Sequence, residues 1–250
     1  QWVFRQWDRI RHKRVIWRTC GQSDEPLERI MGALHRQGLE IVRYSPAERR
    51  YFERLGVFAG EDALIRFGKE PGEWHGWSGD EPFVANVTQD MRARGEWCGL
   101  SWYLAATEGV DARPGGYASE SLPGGLGKLG YDEMRAYLRR ARAYVYTGTH
   151  PASYTLGLIE ALMTGIPVVS IGAQAWMGPH DLFEGHALAR WSYENPYEAR
   201  ETLRDMLADP EAYAADSMAQ RRAAIEAFGM DAVKAQWREF LGESAAGVAA

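Results

Sequence analysis

Apolar positions along the chain follow two periods in turn, the two-residue repeat of a half-buried strand and the 3.6-residue repeat of an amphipathic helix. Residues 14–19, Arg-Val-Ile-Trp-Arg-Thr, form a β-branched and aromatic run that predicts a strand ending at Cys20-Gly21. Asp24 before Pro26 marks a helix start, Leu27, Ile30, Met31 and Leu34 recur at helical spacing, and Gly38 closes the segment. Residues 39–44 predict a second strand, and Ser45-Pro46 opens a second helix with Glu48 placed to complete a capping box. A third strand is expected at 64–67. Strand, helix, strand, helix, strand with short connections implies parallel pairing in a thin, doubly wound sheet.

Residues 68–82 are rich in Gly, Pro, Trp and acids, the composition of a linker or hinge. Phe83 to Val87 then restart the strand pattern, and the Gly- and Pro-rich stretch 109–130 predicts a loop or short strands. Residues 131–142 place Met134, Tyr137, Leu138 and Ala141 on one helical face, and 143–146 predict a strand. A turn around Gly148 leads into a helix at 154–164, and Gly165-Ile166-Pro167 opens a buried strand at 168–171. Residues 196–241 are helical throughout. The strand–helix pattern therefore resumes after the 68–82 segment.

Composition changes this picture little. At 46% hydrophobic and 25% charged, with a net charge of -5, the 250-residue chain has an ordinary globular balance and is not a general polyanion binder. Basic residues do gather early, at Arg5, Arg9, Arg11, Lys13, Arg14 and Arg18. They read either as a solvated face or as a patch for a membrane surface or another polyanion. Cys20 and Cys98 fit neither a disulfide framework nor a zinc spacing, which points to a reducing, cytoplasmic compartment. No apolar run is long enough to span a membrane.

In an open parallel sheet, ligands bind beyond the carboxyl ends of the strands, where loops enter helix N-termini. The turn 147–155, Thr-Gly-Thr-His-Pro-Ala-Ser-Tyr-Thr, holds that position. Its small and hydroxylated residues let backbone amides approach an anion, which the helix dipole also favours, so a phosphate is the natural guest. Glu160 lies in the following helix among apolar neighbours and needs a partner there. Either it is an ordinary glutamate on the one wet face, or its carboxylate is aimed at ligand hydroxyls.

The stretch Thr-His-Pro-Ala-Ser-Tyr-Thr-Leu-Gly-Leu-Ile-Glu-Ala-Leu-Met-Thr-Gly-Ile-Pro-Val-Val, 149–169, resembles the donor-site signature of the large retaining GT-B glycosyltransferase family. That signature has two glutamates separated by seven residues, then Gly-x-Pro and a valine-rich strand. Residues 131–146, 207–213, 41–48 and 63–71 resemble the family's flanking elements. The resemblance implies an α/β fold of GT-B type with two Rossmann-like doubly wound sheets, the N-terminal one short or truncated. It implies an acceptor-side unit at 1–76 and a nucleotide-sugar unit at 77–228. The segment 229–250 is then a helix packing back on the first unit, followed by a flexible tail.

Carried over by residue, Glu160 matches the glutamate that holds the ribose hydroxyls, and Ser153, Tyr154, Thr155 and Leu156 match the turn whose amides meet the diphosphate, with Gly148 before them. Ala152 stands where the family has its first glutamate, and His150 is the nearby polar substitute. After the first strand of the donor unit, Gln89 replaces the family's arginine. Arg92 and Arg94 are the candidates to neutralise the leaving diphosphate, and Lys128 matches the lining of the nucleotide base. The implied activity is transfer of a hexose from a nucleotide sugar, UDP favoured over GDP, with retention, with no cofactor and no metal, to an unidentified acceptor. A nucleotide-sugar epimerase and a scaffold module that has lost catalysis are the rival readings.

Overall fold

A computed structural model describes residues 2–21, 23–172 and 190–242. The expected tail falls outside them. Two short helices, α1 (Trp2–Arg5) and α2 (Trp7–Ile10), precede β1 (Ile16–Arg18), α3 (Glu25–His35), β2 (Glu40–Arg43), α4 (Pro46–Arg54) and β3 (Ala63–Leu64). The three strands pair in parallel in the order β1-β2-β3. Asp24 caps α3 by accepting the Leu27 amide at 2.8 Å, and Ser45 caps α4 through the Ala47 amide at 3.1 Å. Glu48, expected in a capping box, instead turns inward: it is 3% exposed and accepts the Thr19 hydroxyl at 2.5 Å. The third strand is shorter than expected because the Phe67 amide leaves the ladder and donates to the Tyr154 hydroxyl at 3.1 Å.

The larger sheet contains β4 (Glu81–Val87), β5 (Ala112–Gly115), β6 (Ala141–Tyr146), β7 (Val168–Ile171) and β8 (Trp191–Tyr193), all parallel, in the order β5-β4-β6-β7-β8. Between these strands lie α5 (Met91–Arg94), α6 (Leu100–Thr107), α7 (Tyr131–Arg140) and α8 (Leu156–Thr164), and after them α9 (Pro196–Ala208), α10 (Glu211–Phe228) and α11 (Met230–Leu241). One face buries Phe83, Tyr137, Tyr144, Leu158, Leu162 and Phe228, and the other buries Val84, Met91, Trp102, Val145, Leu203 and Met206. Each fully enclosed aliphatic or aromatic side chain contributes about 1.5–3 kcal/mol. Among the described residues no helix is long and apolar enough to cross a membrane.

The segment 68–82 is not an open hinge. Trp74 is 2% exposed, and the Trp77 indole donates to the Ala141 carbonyl at 2.8 Å, so both rings are packed on the larger sheet. Lys69 pairs with Gly229 in a parallel bridge at the break between α10 and α11. From there α11 lies across the smaller sheet, with Val233, Trp237 and Phe240 against Val42, Ile65, Ile16 and Ala63. Two of the early basic residues serve this contact. Arg14 binds Glu40 at 2.8 Å and the Phe240 carbonyl at 2.9 Å, and Arg18 stacks on Phe67 and Trp237. They are structural, whereas Arg5, Arg9, Arg11 and Lys13 remain exposed.

Candidate functional site

The strand order reverses direction at β4: the chain passes from β4 to β5 on one side and then to β6 on the other. The crevice beyond the carboxyl ends of β4 and β6 is thus the topological switch point, where open α/β sheets bind ligands. The turn 147–155 leaves β6 at that point. Gly148 has φ +77°, a left-handed conformation that a side chain would strain, and it bends the chain back toward the sheet edge. Thr155 caps α8, its hydroxyl accepting the Leu158 amide at 3.4 Å. A Cβ on Gly157 would lie 3.4 Å from that of Val87, so this residue fits the helix head closely against the end of β4. Of the first-turn amides of α8, Leu158 is held by the Thr155 hydroxyl and Ile159 by the Thr155 carbonyl, which leaves those of Leu156 and Gly157 as the ones a helix start offers to an anion.

Glu160 is one turn further on, flanked by the fully buried Ile159, Ala161 and Leu162. Its side chain is 15% exposed, and Oε1 meets Lys69 Nζ at 2.5 Å. The partner that a half-buried carboxylate requires is therefore a lysine 91 residues away, on the crossing segment. Spacing along α8 carries no trace of it.

Ser153 requires a correction. It is fully buried, and its amide donates to the Tyr44 hydroxyl at 2.6 Å, so that amide is committed within the chain rather than offered to a diphosphate. Tyr154 contributes a side chain to the core: its hydroxyl donates to the Tyr44 carbonyl at 2.9 Å, accepts the Phe67 amide, and joins the two sheets. Thr155 and the exposed Leu156 are left at the crevice. Ala152 sits directly against the β1 loop, since a Cβ on Gly21 would come within 2.7 Å of its own.

Arg92 and Arg94 have different surroundings. Residues two apart on a helix face different ways. Arg92 is exposed, and its Nε donates to the Ser121 carbonyl at 2.6 Å. Burial pushes the Cys98 thiol up, a shift that the charge of the half-buried Arg94 only partly offsets, and Cys98 Sγ lies 3.9 Å from Thr149 Oγ1. Lys128 is exposed beside Gly127, which bridges to Gly115 at the carboxyl end of β5. His150 donates its amide to the Trp97 carbonyl at 2.7 Å, and its ring lies 5.3 Å from that of Trp97. Burial lowers its pKa, leaving the imidazole neutral at neutral pH. It lines a cleft of about 600 Å³ with Pro26, Tyr51 and Trp97.

Solved structures share this architecture. Anabaena HepE in complex with UDP and glucose superimposes with a TM-score of 0.71 at 14% identity, covering 93% of this chain and 72% of HepE. Sucrose-phosphate synthase from Thermosynechococcus elongatus gives 0.70 at 16% identity, over 97% of this chain and 72% of its own. TarM from S. aureus, in a complex that contains UDP, gives 0.69 at 13% identity, over 95% and 53%. The chain has the GT-B fold. No family model matches the sequence, and no curated protein matches it. At these identities the likeness establishes the GT-B architecture, and function has to be argued from the site.

Proposed function

We propose that this GT-B protein is a glycosyltransferase that moves a hexose from a UDP-sugar to an acceptor, with retention at the anomeric carbon. The observation that carries this reading is the placement of Glu160 in a helix whose head opens at the switch point between β4 and β6. A carboxylate accepts two adjacent ribose hydroxyls well. In this reading the diphosphate lies at the head of α8, and Arg94, whose charge is felt at Cys98 next to Thr149, is the cation that faces it. As the bond to the anomeric carbon breaks, negative charge grows on the departing oxygen. Preorganised amides and a guanidinium stabilise that charge more than the ground state, a role that calls on no metal. His150, neutral and lining the cleft with Tyr51 and Trp97, takes the sugar contact in place of Ala152, which offers no polar group. The unpaired thiols of Cys20 and Cys98 fit a reducing, cytoplasmic setting.

UDP and UDP-glucose complexes of a protein with the same fold support the choice of nucleotide. Thermal-shift titration across UDP, GDP and ADP tests it, because a ligand at about 100 times its Kd adds roughly 2.7 kcal/mol to stability. Glu160→Ala should abolish the UDP shift; an unchanged UDP titration in that variant removes Glu160 from the site. One observation favours a second reading, a nucleotide-binding module without transfer activity: Ala152 packs on Gly21 and the Ser153 amide is spent on Tyr44. Bound UDP with no UDP released from UDP-glucose, across an acceptor panel, would select that reading.

A further inference from the structure

Lys69 connects two parts of the molecule that have separate jobs. Its ammonium meets Glu160 Oε1 at 2.5 Å, the two side chains being 23% and 15% exposed, and lies 5.5 Å from the centre of the Trp74 ring. Its backbone is built into the place where the chain passes twice between the sheets. The Lys69 amide donates to the Phe228 carbonyl at 2.9 Å, and the Met230 amide donates to the Lys69 carbonyl at 3.0 Å, on either side of Gly229. The next residue, Glu70, pairs with Lys234 of α11 at 2.8 Å. The side chain of one residue thus holds the candidate ribose carboxylate, and its peptide groups hold the crossing.

Resting on the nucleotide reading of Glu160, we propose that Lys69 is a positioning residue that orients the Glu160 carboxylate and ties nucleotide occupancy to the crossing at Gly229. A carboxylate offers about four acceptor directions over its two oxygens, so an ammonium on Oε1 leaves room for two hydroxyls. Without Lys69 the carboxylate stands uncompensated on a helix whose neighbouring side chains are buried, and its orientation is lost. With Lys69 present, a ribose that fixes Glu160 also fixes the lysine head. Because the lysine backbone carries the crossing hydrogen bonds, the restraint extends to Phe228 and Met230.

The test combines UDP titration by calorimetry with amide hydrogen exchange on the full chain. Lys69→Met should raise the UDP Kd about tenfold and Lys69→Arg should restore it to within about threefold. Lys234→Met, which breaks the neighbouring ion pair without touching Glu160, should leave the Kd unchanged. UDP should slow exchange of the Lys69 and Met230 amides in the wild type and in Lys234→Met, and should not in Lys69→Met. Wild-type binding of UDP without slowing at those two amides overturns the inference, with no variant needed. So does a Lys69→Met protein that binds UDP as the wild type does. A wild type that does not bind UDP overturns the nucleotide reading and takes this inference with it.

Discussion

Beneath β2 of the smaller sheet lies a group of charges, whereas the larger sheet is sealed by Phe83, Tyr137, Tyr144, Leu158 and Phe228. Arg43 is fully buried and grips Glu28 through two hydrogen bonds of 2.6 and 2.7 Å, with Glu48 at 3.8 Å. A three-stranded sheet has little apolar surface to bury, and small units enclose a smaller fraction of it. The smaller sheet therefore relies in part on a few specific partners, and removing one of them leaves a buried charge uncompensated. The larger one is held by packing, which spreads the cost of any single change over many contacts. One cation between two carboxyls also sets a charge balance. Burial pushes the Glu48 carboxyl up to about 7, so near neutrality its protonated and ionised forms are both populated, while Arg43 stays on Glu28.

Three experiments break or sharpen this contrast. The largest effect is expected from Arg43→Met, which leaves Glu28 buried and unpaired and should cost about 3–5 kcal/mol of stability in urea unfolding. A loss below about 1 kcal/mol would show that the charges under β2 are not what holds the smaller sheet. The second effect depends on pH. The Glu48 carboxyl titrates near 4.5 when unfolded and near 7 when folded. Below the lower value both states are protonated and stability is full. Between the two, the unfolded chain releases its proton and the fold does not, so stability falls as pH rises, by up to about 3 kcal/mol. Glu48→Gln should flatten that slope; a slope that persists in the variant assigns it to another group. The smallest is Tyr154→Phe, which strips the Phe67 amide and Tyr44 carbonyl of a shared hydroxyl and should cost about 2 kcal/mol. If the two sheets are joined there, it should also broaden the unfolding transition. An unaltered midpoint and slope would separate the sheets energetically.

Local signals were legible in the sequence and distant ones were not. Asp24, Pro26 and the 27–34 periodicity announce α3 because cap and stripe lie within one element. The turn 147–155 and the start of α8 were readable for the same reason. Glu48 looked like a capping residue, since Thr19 and Arg43 come to it from neighbouring strands. The segment 68–82 has the glycines of a linker, yet Trp74 and Trp77 carry enough apolar area to draw it onto the larger sheet. The helix α6 left no stripe to read, being apolar on most sides with Trp102, Tyr103 and Ala106 all buried. At the site, the residues of the turn could be named, while Lys69 and Tyr44, which reach them from 91 and 109 positions away, could not. Arg92 and Arg94 were named together because the resemblance calls for two cations after that strand, and two positions apart on a helix they face different ways.

The cover that α11 provides has a consequence during synthesis. The strands of the smaller sheet are complete once Leu64 has been made, but Val233, Trp237 and Phe240, which shield Val42 and Ile65, are not yet made. At ~5–20 residues per second the ribosome needs roughly ten to thirty seconds to span that interval. Throughout it, the apolar flank of Val42 and Ile65 lacks the cover it has in the finished fold.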